Sequence, residues 1–320
     1  MIWLLGIFLP LAAQQPAPQP AADTPVFRSD TNLALVRFHV VRKHSYASDL
    51  KRDDVILLED GQPRPIASFE GGSSGPRSAP VEMILLFDTS GSVKQAGLLD
   101  PLAYQTALLD RLPAVRLSVY AFNAALWKHC RSTRDPSEIE AALRRVLDGP
   151  RAETEAARIA LELPRGRKGA AGTWLFEAIM AAAKDASGPL VVFSDGLPTT
   201  TTRSEDAAAA LAALGIPVYP VVLGHAGTAG KPWGPMQEMF MADFARLAEG
   251  TGGRSFDPPA INLTVVREIL AALAEEIRCE YVVGFAPPAS SGGVRRHKLE
   301  VKLRSRELGS VQGGTRTVIH

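Results

Sequence analysis

Through its middle the chain repeats one alternation: a short, largely apolar run, then a longer stretch with apolar residues every three or four positions. The runs are Met83–Phe87, Arg116–Phe122, Leu190–Ser194 and Val218–Leu223, with Arg254–Phe256 as a short last member. Runs of this length between turn residues predict strands buried on both faces. The intervening stretches predict helices over Ser137–Leu147, Ala152–Leu163, Thr173–Lys184, Ser204–Leu214, Gln237–Glu249 and Leu263–Arg278. Asp135-Pro136 is a helix-start signal, and Gly215 and Gly250 are stops. Val93–Leu112 also carries helical spacing, with Pro101 as its expected break or kink. Ala125–Cys130 reads as a short antiparallel edge beside Arg116–Phe122. Strands alternating with helices predict an α/β fold, a doubly wound, mostly parallel sheet.

On both sides of this region the period changes to that of strands. Leu33–Val41 and Asp54–Glu59 read as strands, Asp60-Gly61 as a tight hairpin turn, and Pro65–Phe69 as the returning strand. After the last helix, Glu280–Phe285 and His297–Leu303 resume the β pattern. Neither set is large enough to bury a core alone, so the two are expected to pair. The α/β domain is then an insertion between two halves of one small β-sandwich. The expected boundaries are a signal peptide and linker at 1–22, an N-terminal β module at 24–78, the α/β domain at 80–279, and a pairing C-terminal β segment at 280–320. Gly71–Pro80, GGSSGPRSAP, is the boundary linker.

The first residues, MIWLLGIFLPLAAQQPAPQPAA, read as an export signal. The apolar core Ile2–Ala13 is too short for a stable span, and Ala12 and Ala13 suit a signal peptidase. Its n-region lacks Lys and Arg, and retention of the segment as an anchor is the alternative. Gln14–Pro25 is a Pro/Ala/Gln linker. The expected location is secreted or periplasmic, with membrane contact only if the first segment is retained. A hydrophobic content of 46% across 320 residues suffices for a sizeable core. The net charge of +1 gives no case for a nucleic-acid partner. The two cysteines, Cys130 and Cys279, form no disulfide framework and read as separate thiols.

Candidate chemistry gathers where the buried runs end. MILLF runs into Asp88, and Asp88, Ser90 and Ser92 then fall at alternate positions around Gly91. A carboxylate and two hydroxyls at the carboxyl end of a parallel strand suit a hard cation. A polar turn capping the next helix is the other reading of the same residues. Thr173, in a Gly-preceded turn opening a helix, and Asp195, closing the run LVVFSD, add a hydroxyl and a carboxylate at equivalent ends. Together these five residues resemble the metal-ion-dependent adhesion site of von Willebrand factor type A domains, over about Val81 to Arg278. The flanking LLEDGQPRPIASFEG and EYVVGF are similar to segments of secreted bacterial type A-related proteins. Two departures stand out: Phe176-Glu177 replaces the Tyr-Asp pair frequent after the threonine, and the tail closes with RTVIH rather than an Arg-x-Gly-Tyr-like ending.

The resemblance implies that Ser90, Ser92 and Thr173 ligate directly and that Asp88 and Asp195 often act through water. It implies Mg2+, with Mn2+ or Ca2+ open, and a protein partner that offers an Asp or Glu carboxylate. The expected function is metal-dependent adhesion or recognition, without catalysis. A scaffold whose metal only orders loops is the second reading, and a Mg2+-dependent phosphotransfer enzyme the third. The carboxylate such enzymes want two residues after the nucleophile is Ser90 here, the stretch DTSGS does not supply the GxSxG elbow of a serine hydrolase, and there is no GxxxxGK[ST] nucleotide loop. His129 and His225 read as surface or loop residues. The loop Gly224–Pro235 follows a parallel strand and emerges on the metal's side, which makes Trp233, Lys231 and His225 candidate partner contacts.

Overall fold

The computed structural model describes residues 33–72, 81–91, 93, 98–149, 158–159, 161, 172–223, 234–287 and 295–319. The export signal, most of the boundary linker, Ser92, and the loop carrying His225, Lys231 and Trp233 lie outside the described residues. Among the described residues no helix is long and apolar enough to cross a membrane.

The N-terminal segment supplies β1 (Ala34–Arg42), β2 (Ser45–Tyr46), β3 (Val55–Glu59), β4 (Gln62–Arg64) and β5 (Ser68–Gly71). The central region supplies β6 (Val81–Asp88), α1 (Pro101–Tyr104), β7 (Val115–Phe122), β8 (Leu126–Thr133), α2 (Pro136–Asp148), β9 (Arg158–Ile159) and α3 (Leu175–Ala183). It continues with β10 (Leu190–Ser194), α4 (Ser204–Leu214), β11 (Val218–Val222), α5 (Pro235–Thr251) and α6 (Leu263–Arg278). Four strands follow: β12 (Tyr281–Phe285), β13 (Arg296–Leu303), β14 (Ser310–Gly313) and β15 (Thr315–Ile319).

The central sheet runs β11-β10-β6-β7-β8-β9, parallel from β11 to β7 and antiparallel beyond. Successive residues of β6 serve opposite cores. Met83, Leu85 and Phe87 join α1, α2 and α6 on one face, while Ile84 and Leu86 join α3, α4 and α5 on the other. A strand buried on both faces has no room for a polar position, which is why it reads as an unbroken apolar run. From β6 the chain leaves toward β7, and from β10 toward β11 on the opposite side. The carboxyl ends of β6 and β10 therefore flank the topological switch point, the crevice where open α/β sheets place ligands.

The outer strands form two further sheets. β14-β1-β12-β5, with β2 attached to β1, faces β15-β13-β3-β4 across a shared apolar cluster. That cluster joins Val36, Phe38, Val40 and Leu57 to Tyr281, Val283, Phe285, Leu299 and Val301. Side-chain contacts tie the outer strands to the central region. Tyr46 donates to Glu276 at 2.9 Å, Arg37 pairs with Glu280 at 2.8 Å, and Arg316 of β15 donates to the Ala213 carbonyl at 3.0 Å.

Several local expectations are corrected. Pro101 does not kink a helix; it starts one, with the Asp100 carboxylate accepting from the Leu102 amide at 3.1 Å. Its missing N–H costs nothing in a first turn. The hairpin return after Asp60-Gly61 is Gln62–Arg64, because a turn with positive φ at both residues leaves no slack before pairing resumes. Ser68–Gly71 goes instead to β12. β8 is longer than predicted and is not an edge, since Arg158–Ile159 pairs along its outer side. Those two residues are extended where a helix over Ala152–Leu163 was expected. His129 lies within β8, half-buried, and burial and Arg145 push its imidazole down to about 4. α5 runs past Gly250 to a left-handed Gly252, and Arg254–Phe256 contributes only a single bridge to β11. Cys130 and Cys279 are separate thiols.

Candidate metal centre

Asp88 is the last residue of β6 and is fully buried. Its Oδ1 accepts from the Ser90 amide at 2.8 Å, and its Oδ2 accepts from the Ser194 hydroxyl at 2.6 Å. The first bond is the two-residue turn that aspartate makes with its own backbone. The second crosses from β10, whose Phe193 sits opposite Phe87 in parallel register. Thr89 anchors the departing loop, with both its amide and its hydroxyl donating to the Phe122 carbonyl, at 2.8 and 2.9 Å.

Asp195 follows β10 directly and is also buried. It repeats the local chemistry of Asp88, accepting from the Leu197 amide two residues on at 3.1 Å. Ser194 serves both chain ends: its hydroxyl donates to Asp88 and accepts from the Gly196 amide at 3.0 Å. Burial pushes the Asp88 carboxyl up to about 6; the Ser194 and Ser90 bonds hold it down in part, and the charge of Asp195 raises it further. The charge of Asp195 thus adds to burial in making ionisation of Asp88 costly.

Thr173 is buried here as well. It precedes α3, whose entry is fixed by the Trp174 amide donating to the Asn123 carbonyl at 2.9 Å. Its amide donates to Thr199 Oγ1 at 3.0 Å, and its carbonyl accepts from the Thr199 amide at 2.9 Å. Gly172 permits this approach: it has φ +152°, and a Cβ there would stand 2.2 Å from Thr199 Oγ1. Thr199 lies four residues beyond Asp195, so these bonds stitch the Asp195 loop to the start of α3.

The fold therefore places Asp88 and Asp195 at the carboxyl ends of neighbouring strands, holds Ser90 in the turn on Asp88, and ties Thr173 to the Asp195 loop. Among the described residues no three His, Cys, Asp or Glu side chains cluster as a metal site would require. What is present is a mixed set of carboxylates and hydroxyls, all hard oxygen donors. Two buried carboxyls near hydroxyl oxygens are a donor set that fits a small divalent cation. Ser194 and Thr199 were not among the residues the sequence singled out. Ser194 is hidden at the end of an apolar run, and Thr199 opens a four-threonine run whose only sequence signal is its place just after Asp195.

No family profile matches the chain, and no curated protein matches it. Among solved structures it is similar to the conserved hypothetical protein BatB from Bacteroides thetaiotaomicron, with 18% identity over 62% of this chain and 97% of that one, TM-score 0.41. It is also similar to the ArnB paralog VWA2 from Sulfolobus acidocaldarius, with 12% identity over 90% and 74% of the two chains, TM-score 0.38. A third is proximal thread matrix protein 1 from the mussel byssus, described with a zinc-occupied MIDAS motif, with 10% identity over 65% and 47%, TM-score 0.40.

Proposed function

We propose that this chain is an exported, metal-dependent protein-recognition module of von Willebrand type A character. Asp88, Ser90, Ser92, Thr173 and Asp195 hold one divalent cation, and the partner is a protein carboxylate. The observation that carries the reading is the meeting of buried Asp88 and Asp195 at the switch point of the sheet. Mg2+ suits such a set, since it keeps several waters and takes few protein ligands. A bound dication surrounded largely by neutral hydroxyls retains positive charge and an open position for an acid from outside. Asp88 and Asp195 orient the hydroxyls and solvent, and no nucleophile–base pair is needed for this role. The flanking strands act as one β-sandwich that carries the recognition domain as an insertion.

The direct test is a calorimetric Mg2+ titration of the whole protein. Saturable, EDTA-reversible binding is expected, and no divalent-cation binding at millimolar concentration overturns the site. Partner capture then depends on the same ion. A protein retained in Mg2+ and released by EDTA should also be lost when its contacting Asp or Glu is changed to amide. Trp233→Ala is expected to weaken that partner without altering thermal stability, as removal of an aromatic anchor does. Unchanged affinity removes Trp233 as a hot spot.

A further inference from the structure

Glu177 lies four residues after Thr173, one turn into α3, and is buried. Its Oε2 accepts from the Thr200 hydroxyl at 3.0 Å, and its Oε1 accepts from the Thr202 hydroxyl. Both threonines belong to the run that follows Asp195. Residues 195–203 have no helix or strand of their own. α3 and the residues leading into it hold this segment at two levels: the Thr173 backbone to Thr199, and Glu177 to Thr200 and Thr202. The first level fixes the chain nearest Asp195. The second prevents the segment beyond it from lifting off the helix.

We infer that Glu177 is a positioning residue for the cation site, clasping the Asp195 loop to the helix that follows Thr173 through the hydroxyls of Thr200 and Thr202. The inference rests on the cation-binding reading above. A cation needs its donors held within a few tenths of an ångström, and two of the five arrive on segments that share no strand pairing. A buried carboxyl accepting from two hydroxyls cannot become apolar without leaving both donors unmet. Outer groups that orient ligands in this way are typically worth about 10–100-fold in metal affinity. Glutamine is the informative conservative change. Its amide oxygen accepts from one hydroxyl while its NH2 donates to the oxygen of the other.

The experiment pairs Mg2+ calorimetry with amide hydrogen exchange of residues 195–203 in EDTA. It compares wild type, Glu177→Ala, Glu177→Gln and the double variant Thr200→Val/Thr202→Val. Glu177→Ala should weaken Mg2+ about 10–100-fold and speed exchange in the loop. The double variant should move both readouts the same way, and Glu177→Gln should restore both towards wild type. A residue needed only for packing would leave the Thr200→Val/Thr202→Val variant, which keeps the side-chain shape and loses only the hydroxyls, at wild-type affinity. If alanine does not fold, the glutamine and valine variants still decide. Wild-type Mg2+ affinity in Glu177→Ala or the double variant, or loop exchange in EDTA that ignores both, overturns the inference alone. A wild-type protein that binds no cation overturns the cation reading itself, and the positioning role falls with it.

Discussion

Asp88→Ala is expected to abolish calorimetric Mg2+ binding while leaving the far-ultraviolet circular dichroism nearly unchanged. The expectation follows from two opposed effects of removing this side chain. It takes away acceptors used by the Ser194 hydroxyl and the Ser90 amide, and a buried donor left unmet costs about 1–3 kcal/mol. It also removes a fully buried carboxyl that stands beside Asp195 and is pushed up to about 6 by burial. Without metal these terms offset each other, so the variant should melt close to wild type in EDTA. With metal they do not. Ligand at a hundred times its dissociation constant stabilises a protein by about 2.7 kcal/mol. At about 2–4 °C per kcal/mol for a domain of this size, wild type should melt about 5–11 °C higher in Mg2+. The variant should show no such rise. Loss of circular dichroism in EDTA would instead make Asp88 a folding residue whose metal only orders the loops.

The strands that frame this site were legible because burial on both faces removes every polar position. Met83–Phe87 and Leu190–Phe193 are short apolar runs bounded by turn residues, and the first polar residues after them mark the edge of the sheet. Asp88 and Asp195 could therefore be placed before any geometry was known. The second layer of the site was not legible, because its signals have commoner meanings. Ser194 looks like the fading end of a strand, the threonine run like a loop, and Glu177 like a mild departure from the Tyr-Asp pair, away from the metal. Only the approach of α3 to residues 195–203 gives them a role. Elements defined by partners were missed for the same reason: two-residue β9 exists because β8 offers it an edge. The hairpin return was misplaced for another reason. Strand propensity favoured the stretch up to Phe69, whereas turn geometry fixes pairing from Gln62 onward.

The fragment 24–78 should be unfolded in isolation, with a disordered circular dichroism spectrum and no cooperative denaturant transition. Among the described residues of that fragment only the β1–β2 and β3–β4 pairs survive, and a lone hairpin is at best marginal in water. Every other partner of these strands lies beyond residue 280: β12 and β14 for β1, β13 for β3, and β12 for β5. Their core is divided in the same way. Tyr281 stacks on Phe38 at 5.3 Å and on Phe69 at 5.7 Å, and its hydroxyl accepts from the Leu50 amide at 3.0 Å and donates to the Ala47 carbonyl at 3.2 Å. One side chain from the C-terminal segment thus fills the centre of the N-terminal one. Tyr281→Ala in the whole protein should cost about 3–5 kcal/mol, the usual loss for a large buried aromatic. A protease acting on the glycine- and serine-rich stretch Gly71–Pro80 supplies the complementary measurement. The nicked halves should co-elute under native conditions and separate only in denaturant, since strand pairing rather than the peptide bond then joins them. Cooperative unfolding of 24–78 alone, or separation of the nicked halves in native buffer, would show that the two β segments are independent units and that the shared sandwich is wrong.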